Sequence, residues 1–231
     1  MSVIIPAYNE ENSIGFVVDE IPKEWIQEVL VVDNGSSDGT ASVAARHGAK
    51  VVLETRRGYG SACLAGISHL PVETELVVFM DGDHSDHPSE IRALLAAQFH
   101  HQADLVVGSR VLGQCEPGSL TFQQRLGNRL STWIIGKLYG HSYSDLGPFR
   151  LIRRQALEQL GMKDRNYGWT VEMQVKALQH HMKVVEVPVS YRRRIGKSKV
   201  SGTIAGSIKA GIKILWVIAK LGFQNRPSTN G

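Results

Sequence analysis

Leu76-Val77-Val78-Phe79-Met80-Asp81-Gly82-Asp83-His84-Ser85-Asp86-His87-Pro88 is an apolar run that ends abruptly in acid. An apolar run bounded by polar residues reads as a strand buried on both faces, which is the habit of strands in parallel sheets. The carboxylates then stand at its carboxyl end, where open α/β sheets bind ligands. Asp81 and Asp83 are two apart, so on extended chain they point to one side, and Gly82 between them lets backbone or ligand approach closely. Two carboxylates held together repel unless a cation joins them. Oxygen ligands of this kind suit Mg²⁺ or Mn²⁺, shared with phosphate oxygens. The competing reading is a helix cap, with Ser85 and Asp86 preceding Pro88 and Glu90.

Outward from this stretch, further short β-branched runs alternate with helical patterns. Val3 to Pro6, Glu28 to Asp33, Lys50 to Glu54 and Asp104 to Ser109 are strand candidates, with helices expected near Asn9, near Ser37 and Asp38, after Arg57-Gly58-Tyr59-Gly60, and at Pro88. This alternation predicts an α/β fold: a mostly parallel sheet with helices on both faces. Three of the strand ends carry polar clusters, Pro6-Ala7-Tyr8-Asn9-Glu10, Asp33-Asn34-Gly35-Ser36 and Asp81-Gly82-Asp83. A doubly wound sheet brings them to one crevice. There Tyr8 can stack on a base and Asp33 can accept from a base imide or a ribose hydroxyl; ordinary packing and turn formation are their competing readings. Neither G-x-G-x-x-G after the first strand nor a P-loop is present.

A long helix is expected over Phe122 to Tyr139, then a loop from Gly140 to Pro148, a strand and helix over Phe149 to Leu160, a helix over Trp169 to His180 and a strand over Val184 to Tyr191. Residues 1–202 are read as one domain, 203–222 as an amphipathic C-terminal helix, and 223–231 as a disordered tail. Lys209, Lys213 and Lys220 share one stripe of that helix, and Ile, Leu, Val and Trp216 fill the rest. So wide an apolar face suits a membrane interface with snorkelling lysines, or packing on the domain or in a homodimer.

The 231 residues are 42% hydrophobic and 21% charged, an ordinary globular composition with a formal net charge of +4. The positive charge is concentrated late. Lys183, Arg192, Arg193, Arg194, Lys197, Lys199, Lys209, Lys213 and Lys220 face the single acid Glu186 between residues 183 and 220, which suggests an anionic partner. Cys63 and Cys115 show no disulfide or metal spacing, and Met1 leads directly into a strand. The expected setting is reducing and cytoplasmic, with peripheral contact at the inner face of the membrane.

The segments PAYNEE, VVDNGSSDGT, RRGYGSACLAGI, MDGDHSDHP, VVGSRVLG, SDLGPFRLIRR, YGWTVEMQVKA and EVPVSYRRRIGKSK, in order over roughly residues 3 to 200, resemble the family-2 glycosyltransferases, nearest the polyprenyl- and dolichyl-phosphate sugar transferases. The resemblance implies a GT-A fold, a nucleoside-diphosphate sugar donor (UDP or GDP), Mg²⁺ or Mn²⁺ and inversion at the anomeric carbon, while the basic C-terminal stretch and the amphipathic last helix favour a lipid-phosphate acceptor. The resemblance assigns Pro6, Tyr8, Glu10, Val31 and Asp33 to the nucleoside. Met80, Asp81, Gly82 and Asp83 fall to the metal and sugar-phosphate, with Ser85 standing where relatives offer Gln. Arg110 falls near the phosphates, and Arg193 and Lys199 to a pattern that closes over donor and acceptor. Departures are Asn34 for a second Asp, Tyr59 for Lys, and a loop at Asp145 to Arg150 one residue short. Whether Arg193 or Arg194 is the functional arginine stays open.

A phosphate acceptor needs no general base, because its second pKa is about 6. An alcohol acceptor needs a carboxylate to take its proton, for which Asp145 and Glu172 are the candidates, each with a structural alternative as an Arg150 partner or a first-turn helix acid. A nucleotidyltransferase would place a Gly-rich basic loop where PAYNEE stands. A nucleic-acid-binding protein would leave the acidic strand ends unexplained.

Overall fold

The computed structural model describes residues 1–196 and 204–224. In it β1 (Ser2–Ala7), β2 (Glu28–Asp33), β3 (Lys50–Leu53) and β4 (Leu76–Phe79) run parallel. They alternate with α1 (Ile14–Glu20), α2 (Thr40–Arg46) and α3 (Tyr59–Ser68); after β4 a 3₁₀ turn at Pro88–Glu90 leads into α4 (Ile91–His101). The second half supplies β5 (Leu105–Ser109), α5 (Phe122–Tyr139), β6 (Arg150–Arg153), α6 (Arg154–Leu160), α7 (Trp169–Gln179), β7 (Val184–Pro188) and α8 (Ile204–Gln224). The sheet order is β3-β2-β1-β4-β6-β5-β7, and β6 alone runs antiparallel to its neighbours. The expected mostly parallel mixed α/β sheet with helices on both faces is thus the observed fold.

Side-chain alternation along each strand builds two cores. Val3, Ile5, Val31 and Val78 pack with Ile14, Val17, Ala44 and Leu94 on one face. Ile4, Leu30, Val77 and Phe79 pack with Cys63, Leu157, Trp169 and Met173 on the other. Because both faces are covered, the polar ends of β1, β2 and β4 are left as the open rim.

Several boundaries moved, each for a local reason. The first helix begins at Ile14, not near Asn9, because Asn9 takes a left-handed φ of 54° and ties the β1 and β2 ends together. Its N–H donates to Ser36 Oγ at 2.9 Å, and its Oδ1 accepts from Ser37 N–H at 2.8 Å. The last strand stops at Pro188 instead of Tyr191, which forms isolated bridges to Asp86 and Cys115. The cap expected from Ser85 and Asp86 does not form: the turn at Pro88 has no side-chain cap, Ser85 Oγ donates to Asp83, and Asp86 Oδ2 accepts from Asp81 N–H.

α8 lies against α5 and α7, burying Val217, Ile218 and Leu221 among Ile135, Tyr143, Val171 and Val175. Burial of three such side chains is worth roughly 5–8 kcal/mol before ordering costs. Part of the apolar face expected at a membrane is therefore turned onto the domain. The expected tail falls mainly on 225–231, outside the described residues, while Phe223 and Gln224 belong to α8. No helix among the described residues is long and apolar enough to cross a membrane.

The loop before α7 presses on the start of α3. A Cβ at Gly60 would lie 2.0 Å from the Asp164 carbonyl oxygen, and one at Gly58, where φ is 133°, 2.1 Å from that of Arg165. Backbone cannot yield as a flexible side chain can. Gly60→Ala is expected to lower stability by on the order of 2 kcal/mol in urea unfolding.

Candidate active site

The carboxyl ends of β1, β2 and β4 open into a cleft of about 490 Å³ whose wall includes Pro6, Tyr8, Glu10, Asp81, Gly82 and Asp83. The acidic loop is held from behind. Ser13 Oγ donates to the Gly82 carbonyl at 2.9 Å, and Asp83 Oδ1 accepts from Ser85 N–H at 2.9 Å and from the Ser85 hydroxyl. Ser85 itself is fully buried behind Asp83, so its hydroxyl orients that carboxylate and does not face the cleft.

A chain segment from the far edge of the sheet crosses this loop. Arg192 N–H donates to the Ser85 carbonyl and Ile195 N–H to that of Asp83, both at 2.9 Å. This pairing aims Arg194 at the acids: its Nη2 lies 3.1 Å from Asp83 Oδ2 and 3.2 Å from Glu10 Oε1. The Arg193 side chain points elsewhere, its Nε donating to the Pro117 carbonyl at 2.7 Å while its backbone N–H donates to Glu116 Oε2. The structure brings Arg194, not Arg193, to the cleft. Lys199 lies outside the described residues.

Arg110 and Asp145 form one unit. Arg110 Nε and Nη2 donate to the two carboxylate oxygens of Asp145, each at 2.8 Å, and the Arg110 backbone N–H adds a third bond. Burial acts to lower the Arg110 pKa, yet Asp145 outweighs it and raises it, so the charge is fixed. Asp145 also receives Leu146 N–H and is 1% exposed. It holds Arg110 in place and has no open oxygen to take an acceptor proton.

Glu172 is displaced from the cleft. It pairs with Lys176 at 2.7 Å and accepts from the N–H groups of Lys163 and Asp164, so it caps the 163–164 turn. Val31 and Met80 put their side chains in the core. Asp33 is buried at the end of β2 and accepts Ser36 N–H. Asn34 bonds the Glu54 and Arg56 carbonyls and Gly58 N–H, fastening the third strand's exit to the cleft.

Sequence reasoning did not single out Arg57, Asn166 or Tyr167, which also line the cleft. Arg57 stacks on Tyr8, its Cζ 3.9 Å from the ring centroid. The paired Arg56-Arg57 ahead of Gly58 was the available signal for it, and Tyr167 stands in the YGWTVE segment read only for its acid.

The chain can be set beside known proteins on this geometry. The sequence profile of "Glycosyl transferase family 2" matches residues 2–161. An uncharacterized glycosyltransferase of Mycobacterium tuberculosis is 41% identical over 222 residues, covering 95% of this chain and 98% of the relative. The chain belongs to glycosyl transferase family 2. Glycosyltransferase AglJ of Haloferax volcanii is 28% identical over 193 residues, 83% of this chain and 63% of that protein. Among solved structures, glucosyl-3-phosphoglycerate synthase from Mycobacterium tuberculosis in complex with phosphoglyceric acid superposes with a TM-score of 0.79 at 20% identity, covering 99% of this chain and 81% of that one. The same enzyme with Mn²⁺, UDP and glucosyl-3-phosphoglycerate gives 0.78 at the same identity and coverage.

In this glycosyltransferase the acids carry an unbalanced charge. Burial raises the Asp81 pKa to about 7, with the charge of Asp83 adding to the shift and Arg194 and Arg110 opposing it. Burial, together with the charges of Asp81 and Asp83, pushes Asp86 well above the usual carboxylate range, and its Oδ1 has no hydrogen-bond partner. A divalent cation fits such a site, because it replaces the protons that otherwise neutralise it. No three His, Cys, Asp or Glu side chains among the described residues enclose a metal. Two carboxylates completed by substrate phosphate oxygens are the usual set for Mg²⁺.

A carboxyl whose folded pKa is raised makes the native state bind more protons than the unfolded chain, so stability falls as pH rises. Through Asp81, metal-free protein is expected to lose thermal stability as pH rises from about 4, its ordinary value, to about 7. Added Mn²⁺ is expected to raise Tm more at pH values above that window than within it. Scanning calorimetry with and without chelator measures both.

Proposed function

We propose that the protein is an inverting, metal-dependent transferase that moves a sugar from a nucleoside-diphosphate sugar to a phosphate acceptor, a polyprenyl phosphate. The observation that carries this reading is the convergence of Tyr8, Asp81, Asp83 and Arg194 on one cleft. Tyr8 offers a ring face to the base, with exposed Arg57 stacked on that ring. Asp81 and Asp83 would hold the cation, Mg²⁺ or Mn²⁺, which as a Lewis acid supplies charge stabilisation at the leaving diphosphate. Arg194 adds fixed positive charge beside the same oxygens, already oriented by Glu10 and Asp83. Arg110 extends that field from its seat on Asp145.

The acceptor follows from which carboxylates are engaged. Asp145 is committed to Arg110 and Glu172 to Lys176 and two backbone N–H groups. A phosphate monoester, largely dianionic above its second pKa of about 6, attacks without a base. A lipid carrier also suits α5. Phe122, Leu126, Leu130 and Trp133 are exposed on one side of that helix, beside exposed Arg125, Arg129 and Lys137, and the helix has no acid. An apolar stripe with a cationic border favours peripheral contact with an anionic membrane. The second reading is a small phosphorylated acid, favoured by the phosphoglyceric acid and the glucosyl-3-phosphoglycerate bound in the two similar solved structures.

Incubation with Mn²⁺, a panel of UDP- and GDP-sugars, and either polyprenyl phosphate or 3-phosphoglycerate distinguishes these, with nucleoside diphosphate release as the readout. Release stimulated by 3-phosphoglycerate and indifferent to the lipid phosphate would sink the lipid assignment. Arg194→Gln is expected to reduce kcat by about 10²–10³-fold, as for other fixed donors to developing charge, and Arg193→Gln to leave it within a few-fold. Glu172→Gln is expected to lower Tm while leaving the slope of kcat against pH unchanged; loss of a basic limb in that profile would restore Glu172 as the base.

A further inference from the structure

A second cavity, of about 420 Å³, lies between α7, α8 and the loop that precedes α7. Its wall is strongly cationic: Lys163, Arg165, Lys176, Lys213 and Lys220 line it against two acids, Asp164 and Glu172. Both acids are already engaged. Asp164 pairs with Lys213 at 2.8 Å, and Glu172 with Lys176 at 2.7 Å. Lys163, Arg165 and Lys220 are left without a carboxylate partner among the described residues, so three like charges share one recess. Their mutual repulsion is relieved by an anion and made worse by a metal ion.

Trp216 sharpens the ligand class. Lys213 Nζ lies 4.7 Å and Lys220 Nζ 4.9 Å from its ring centroid, contacts that draw both charges to the ring in the cavity wall. The ring is 52% exposed, so a flat apolar surface lies next to the positive charge. The volume falls in the range of small-molecule sites, about 300–1,000 Å³, and is too small for a folded partner. Lys point charges beside an Arg fork suit phosphate oxygens.

We infer that this cavity is a second anion site, taking the phosphate of a small molecule or of a lipid headgroup, separate from the cleft that holds the acids. It adjoins that cleft through one loop. Asn166 lines both cavities, the Arg165 carbonyl accepts Ser61 N–H at 3.0 Å, and the Asp164 and Arg165 carbonyls abut Gly60 and Gly58. The inference does not depend on the donor or acceptor proposed above.

The test uses the full chain in the presence of EDTA, with inorganic pyrophosphate followed by calorimetry and phosphatidylglycerol vesicles by co-sedimentation. Lys163→Gln with Lys220→Gln removes two unpaired cations, and a Tm within a degree or two of wild type verifies that the fold is kept. Arg194→Gln serves as the control for binding in the acidic cleft. Pyrophosphate is expected to bind wild type and Arg194→Gln alike and the double variant about tenfold or more weakly. No pyrophosphate binding to wild type, together with vesicle binding that the double variant weakens to what α5 alone holds, assigns the site to a lipid headgroup. Pyrophosphate binding that persists in the double variant or is abolished by Arg194→Gln overturns the inference, as does no pyrophosphate binding together with vesicle binding that the double variant does not weaken.

Discussion

Three carboxylates, Asp81, Asp83 and Asp86, are crowded at the carboxyl end of β4, and the protein is arranged around their repulsion. Like charges a few ångströms apart cannot all ionise in a low-dielectric wall without compensation. The chain answers partly with protons, raising Asp81 and Asp86, and partly with cations, bringing Arg194 to Asp83 and Arg110 near Asp81. What remains is a demand for positive charge in an otherwise preformed cleft. A cation and a transferable diphosphate group together would meet that demand.

The second half of the chain serves to place those arginines. Glu186 on β7 accepts Ser144 and Asp145 N–H groups, Gln174 on α7 donates to the Asp145 carbonyl, and Arg150, fully buried, donates to the Pro148, Gly147 and Thr170 carbonyls. These bonds fix the 144–150 loop, and the loop fixes Asp145, which fixes Arg110. Arg194 is placed by a different route, the backbone pairing of 192–195 with 83–85. Each cation at the acids is therefore oriented before any ligand arrives, the condition under which fixed charge stabilises a transition state most effectively.

How much of this was legible in the sequence depended on whether a signal was local. Buried strands such as Leu76–Phe79 were readable because parallel strands are apolar throughout, and the acids that end them stood out by contrast. The Arg193 or Arg194 question was not, because the segment is irregular and a one-residue offset reverses which side chain faces the site. Asp145 and Glu172 looked like candidate bases since their partners, Arg110 and the 163–164 backbone, are set by tertiary contact. The start of the first helix was misplaced because the left-handed turn at Asn9 depends on Ser36 and Ser37 in another loop. For α8, an apolar face reads the same whether lipid or protein covers it, and only the packing on Ile135 and Val175 distinguishes them.

The central claim is that the acids at the end of β4 bind a cation and a nucleoside diphosphate as one unit. Calorimetric titration of UDP and GDP, with Mn²⁺ and with EDTA, into wild type and Asp81→Asn tests it most directly. The account predicts that one of the two nucleotides binds at least about tenfold more tightly with Mn²⁺ than with EDTA, and that Asp81→Asn removes this difference. Binding of equal strength with Mn²⁺ and with EDTA, or a metal effect that survives Asp81→Asn, would contradict it.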